Sequence, residues 1–108
     1  MADLSKQEKK MVRELIDRGL NRDYLEGIES VKKICDSFIE GKSDPKEYYH
    51  KLFSVLHSKD KIIARRYDGI TGSHYIMRLG ILFSDGVLTQ EDLQGVDENL
   101  KKKLSSCI

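Results

Sequence analysis

The sequence predicts an all-α protein: an antiparallel bundle of four to six helices joined by short, glycine-stopped turns. Three observations carry this expectation. One proline stands in 108 residues, the eight glycines fall mostly at segment ends, and apolar residues recur three and four apart, the period of a helix face. The length suits a single domain over residues 1–108.

The elements follow in order. Ser5 and Glu8 have the spacing of a capping box, in which each side chain bonds the other's backbone N–H. The helix they open sets Met11, Val12, Leu15 and Ile16 on one face and is expected to stop at Gly19, with positive φ there. Asn21 then reads as the cap of a second helix running to about Glu40 and ending at Gly41, with Leu20 and Leu25 as a hydrophobic staple. Asp44-Pro45-Lys46-Glu47 supplies a cap, a proline at the first helical position and an acidic first turn. The third helix carries Tyr48, Tyr49, Leu52, Phe53, Val55 and Leu56, and Ser58 is the expected place for a break or kink before Tyr67. Asp68-Gly69-Ile70-Thr71-Gly72 is a turn. The next helix, Tyr75 to Phe83, is apolar nearly all round apart from His74 and Arg78, which suits the middle of a bundle. Asp85-Gly86 ends it, with positive φ expected at Gly86. Leu88 and Leu93 staple the start of the last segment around the cap Thr89 and its partner Asp92, and Leu93, Val96, Leu100 and Leu104 form its buried face, with a break at Gly95. The stretches from Arg18 and from Asp85 therefore read alike, as helix, glycine stop, staple, cap and helix. Every helical hairpin needs those parts.

Composition narrows the function. Nineteen Lys and Arg against 18 Asp and Glu give a net charge of +1, so no global field draws the chain to polyanions. Apolar runs such as Ile81-Leu82-Phe83 fall far short of the roughly 20 residues of a membrane span. The opening Met1-Ala2-Asp3-Leu4-Ser5 has no apolar signal core, which points to a cytoplasmic protein rather than a secreted one. Cys35 and Cys107 lie in no metal or redox spacing, and reduced thiols are expected.

Catalytic motifs are missing. There is no nucleophile elbow, phosphate loop or dinucleotide fingerprint, so neither an enzyme nor a cofactor is expected. Aligning Asp85–Asp92 with a calcium loop through Gly86 puts Ile81 and Phe83 at ligand positions, which excludes the ion. His50 and His57 stand seven apart, roughly 10 Å along a helix, too far for one zinc without further ligands. Ser73, His74 and Arg78 form the sequence's candidate anion site, at a helix N-terminus; the plainer reading has Ser73 as a cap and the strip facing water. Lys59, Lys61, Arg65 and Arg66 are the candidate nucleic-acid contacts, although the helix after the following turn offers Tyr75, Ile76 and Met77 where base-reading polar side chains belong.

The strongest functional signal is the width of an apolar face. Tyr24, Ile28, Val31, Cys35 and Phe38 form a seam within roughly 80° of arc, and Leu25, Ile34 and Ile39 widen it to roughly 180°, where about 100° suffices for a helix packed on one core. Leu25, Val31, Ile34, Phe38 and Ile39 are thus the candidate interface, and the expected function is a non-catalytic protein–protein interaction or assembly module that self-associates or binds a protein partner. The alternative is a nucleic-acid-binding regulator using Lys59 to Arg66.

Overall fold

Ser5 and Glu8 cap the first helix reciprocally: Ser5 N–H donates to Glu8 Oε1 at 2.9 Å, and Glu8 N–H donates to Ser5 Oγ at 3.1 Å. The computed structural model describes residues 4–41, 44–69 and 74–105. Most of these residues are helical and none is in a strand: α1 (Lys6–Gly41), α2 (Pro45–Tyr67), α3 (Tyr75–Ser84), a 3-10 turn at Gln90–Leu93 and α4 (Glu98–Leu104).

α1 does not stop at Gly19. It runs unbroken for 36 residues, with Asn21 exposed mid-helix instead of capping a second one. Its buried stripe explains why. Glu8, Val12, Leu15, Ile16, Gly19, Asp23 and Gly27 continue one face at spacings of one, three and four, and a stop would throw the later members off it. Gly19 serves close packing: a Cβ there would stand 3.0 Å from Tyr67 Oη and 3.2 Å from Leu82 Cδ1. Among the described residues the positive-φ glycines are Gly69, Gly86 and Gly95, so the expected stop at Gly86 stands and that at Gly19 does not. The resemblance between the stretches at Arg18 and Asp85 lapses with it.

α2 is also continuous. Asp44 caps it, accepting from Lys46 N–H at 3.1 Å, with Pro45 in the first turn. The break expected at Ser58 is absent, because Tyr48, Leu52, Val55, Lys59, Ile62 and Arg66 keep one half-buried face turned inward along the whole length. At the other end Gly86 closes α3, and Asp92 Oδ2 accepts from Thr89 N–H at 2.8 Å, as the expected box requires.

Among the described residues the buried hydrophobic side chains lie in one cluster: Val12, Leu15 and Ile16 of α1, Leu79 and Leu82 of α3, and Leu88, Leu93, Val96, Leu100 and Leu104 from the C-terminal segments. α3 is not enclosed on all sides, since Met77 is 54% exposed; the first half of α1 holds the central place. Beyond this head, α1 and α2 continue together. Asp23 meets Arg66, Gly27 meets Lys59 and Phe38 meets Tyr48, so partners advance along one helix as they recede along the other. A helix of 36 residues is about 54 Å long, which accounts for the 56 Å long axis against 26 and 20 Å across. The far part of that hairpin, residues 24–41 with 45–58, is an arm of two helices in which Gly27 alone is buried among the described residues.

Two glycine substitutions separate the roles of the turns. Gly86→Ala should destabilise by about 1 kcal/mol, because its φ of 78° strains any L side chain. Gly19→Ala should destabilise by roughly 1–3 kcal/mol despite the better helix propensity of alanine, because its methyl group would press at 3.0 and 3.2 Å on Tyr67 Oη, held by Asp23, and on the fully buried Leu82. Urea unfolding measures both, and a gain at Gly19 would show that Tyr67 and Leu82 yield easily to the added methyl group.

Candidate functional site

The arm is two-sided. Along one flank α1 presents Tyr24, Leu25, Ile28 and Ile39, and α2 presents Tyr49, Phe53 and Leu56, each between 47% and 74% exposed. Between them, near the tip, lies an apolar hollow of about 250 Å³ walled by Ile34, Cys35 and Phe38 from α1 and Pro45, Tyr48, Tyr49 and Leu52 from α2. The other flank carries none of these large exposed apolar side chains; its shallow groove is lined by Gly27, Ser30, Ser54 and Ser58 with Val55, Lys59 and Ile62. The tip is held together by Phe38 and Tyr48, whose rings meet edge to face at 5.4 Å, and by Ser37 Oγ at 3.2 Å from Tyr48 Oη.

The five interface candidates divide over this surface. Leu25 and Ile39 are exposed on the flank, Ile34 and Phe38 wall the hollow, and Val31 is half-buried between them. The sequence had also placed Tyr24, Ile28 and Cys35 in the seam. The exposed α2 residues Tyr49, Phe53 and Leu56 were not among the candidates, because they share their helix with inward-facing neighbours and read as core.

The junction of arm and head is locked by charge. Asp23, 1% exposed, accepts from Lys59 Nζ at 2.8 Å and Arg66 Nη1 at 2.6 Å on one oxygen and from Tyr67 Oη at 2.6 Å on the other. Burial pushes its carboxyl up, but the bonds from Lys59 and Tyr67 and the charges of Arg66 and Lys59 outweigh this and leave it below the usual range. Burial and the Asp23 charge together raise the Tyr67 hydroxyl. These bonds are all made within the protein, and the network reads as structural.

It also uses the basic cluster. Lys59 and Arg66 are 11% and 13% exposed and turned onto Asp23, with Arg66 reaching Asp85 as well at 3.2 Å. Lys61 and Arg65 are exposed. The four cations therefore do not form one open face, which weakens a phosphate-contacting surface there. Of the candidate anion site, Arg78 is turned to backbone carbonyls. Arg78 donates to Arg65 O at 2.6 Å and Asp68 O at 3.1 Å, satisfying carbonyls at the C-terminal end of α2. His74 is exposed at the start of α3, and Ser73 lies outside the described residues. Among the described residues no group of three His, Cys, Asp or Glu is placed to hold a metal ion, and no helix is long and apolar enough to cross a membrane.

No family model, curated protein or solved structure matches this chain.

Proposed function

We propose that this chain is a non-catalytic assembly module that self-associates through the apolar flank of its arm. One observation carries the reading: seven large apolar side chains, half to three-quarters exposed, stand on one side of a two-helix arm whose other side is serine-rich. At roughly 150–250 Å² for a fully buried aromatic residue and somewhat less for Leu or Ile, they leave on the order of 700 Å² of apolar side chain in water. That exceeds the few hundred Å² in a typical monomer's largest patch and approaches the ~800 Å² each partner contributes to a standard interface.

A second copy is the occupant that suits the surface. Each arm offers two helices with half of their apolar faces covered, and two arms together supply four, the number at which such helices enclose a core. In this reading the antiparallel bundle that the apolar patterning calls for is completed between two chains. A twofold pair is also the commonest way for soluble chains to bury a shared surface.

Light scattering coupled to size exclusion tests this directly. The expected mass is twice the 12.4 kDa of one chain. Ile39→Lys with Phe53→Lys should return it to one chain while far-UV circular dichroism stays unchanged, since both positions are exposed in the single chain and surface changes usually shift stability by about 0.5 kcal/mol or less. A monomer at high concentration, or a doubly substituted chain still at twice the mass, would overturn the reading.

A further inference from the structure

We infer that the two arms pair head to tail, about a twofold axis perpendicular to the arm, with the hollow at each tip taking Ile28 of the second copy. This rests on the self-association proposed above and adds its geometry.

Spacing is the first argument. On the flank side of α1 the exposed Tyr24, Leu25, Ile28 and Ile39 and the half-buried Cys35 and Phe38 pair off about the point between Val31 and Lys32, Tyr24 with Ile39, Leu25 with Phe38 and Ile28 with Cys35. Reversing the direction of the helix returns the same series. An antiparallel copy therefore sets Tyr24 opposite Ile39 and Ile28 opposite Cys35 at both ends at once. α2 behaves alike: Tyr49, Leu52, Phe53 and Leu56 are symmetric about the point between Leu52 and Phe53. The contacts of Gly27 with Lys59 and Phe38 with Tyr48 fix how the helices lie beside each other. By that alignment the two centres fall within about two residues, roughly 3 Å, of the same level. One perpendicular axis thus serves both helices.

Shape is the second argument. The apolar hollow sits at the tip of the arm, whereas Tyr24, Leu25 and Ile28 stand out near its base. An axis running along the arm would place hollow against hollow and leave roughly twice 250 Å³ unfilled. Such empty space is destabilising in proportion to its volume. The perpendicular axis instead brings the base of each copy to the tip of the other, where Ile28 projects between Cys35 and Tyr49. Lys32, next to that axis, is already paired with Asp36 at 2.9 Å and brings no uncompensated charge.

Cross-linking decides between the two axes. With Cys107→Ser removing the second thiol, Ile28→Cys is introduced beside the native Cys35 and the protein is oxidised gently. The linked peptides are then identified by mass spectrometry. Head-to-tail pairing predicts a covalent dimer joined 28 to 35, abolished by Cys35→Ser. It predicts no 35-to-35 link in the parent chain, where the two thiols would stand about 10 Å apart along the length of the arm. A dimer by light scattering that links 35 to 35, or 28 to 28, would overturn the arrangement while leaving self-association intact. A monomer by light scattering would overturn both.

Discussion

Replacing Asp23 with alanine is expected to cost about 3–5 kcal/mol, which is much of the 5–15 kcal/mol that holds a domain of ordinary stability together. The size follows from what is left behind. The carboxylate is 1% exposed, and Lys59 and Arg66, at 11% and 13%, have been drawn out of water to meet it. Without it, two cations lie side by side next to a tyrosine hydroxyl that has lost its acceptor at 2.6 Å. Lys59 can turn to Glu26 and Arg66 to Asp85, so the loss should fall toward the lower end of that range. Lys59→Met is the informative comparison. It leaves Asp23 with Arg66 and Tyr67, both at 2.6 Å, and should cost less than half as much. Urea midpoints at neutral pH measure the pair. Equal losses would mean that the burial of Asp23 matters less than its individual bonds.

That network marks where sequence reading reaches its limit. Its three donors lie 36 to 44 residues from Asp23, and nothing local distinguishes Asp23 from the exposed Asp17 six residues earlier. What could be read was local chemistry. The Ser5–Glu8 box, the Asp44-Pro45 start, the positive φ at Gly86 and the Thr89–Asp92 box each involve residues within a few positions of one another. Gly19 and Gly86 carry the same local signal, a glycine after an amphipathic stretch, and reach opposite ends. Gly86 turns the chain, whereas Gly19 stays helical because Tyr67, Leu82 and Val87 arrive from distant segments to pack on its missing side chain. Ser58 was misread for the same reason: a good cap is overruled when the helix on either side has one face to keep against α1.

The candidate site was legible in part. An apolar arc of roughly 180° on the second half of α1 says that one neighbour is too few, and α2 turns out to be the single neighbour given to it among the described residues. Which side chains that neighbour would cover was not legible, since it depends on the rotation of α2 about its own axis. Basic residues were harder still. Lys59 and Arg65 look alike in sequence, yet one is turned inward and the other is exposed. Arg18 and Arg22 belonged to no expected site, and both reach across to Asp92, 74 and 70 residues away.

Those arginines make the head sensitive to acid. Asp92 receives Arg22 at 2.7 and 2.8 Å, Arg18 at 3.2 Å and the Thr89 N–H at 2.8 Å, and the Arg22 bonds above all hold its carboxyl well below the usual range. Asp23 is lowered as well. A carboxyl with a lower pKa folded than unfolded stabilises the fold fully above the unfolded value, near pH 4, and loses that contribution as pH falls toward the folded value. The thermal midpoint should therefore hold from about pH 7 to 5 and drop steeply below pH 4. Arg18 and Arg22 remain 44% and 46% exposed, so screening trims the Asp92 contribution to about 2 kcal/mol, on the order of 10 °C in a domain of this size. Asp92→Asn keeps the shape of the turn and removes the charge. It should melt lower at pH 7 and show a flatter profile, with the two curves drawing together near pH 2. Parallel curves across the whole range would mean that the Arg18–Arg22 clamp is as well made to a neutral side chain, and that the acid sensitivity of the head lies elsewhere.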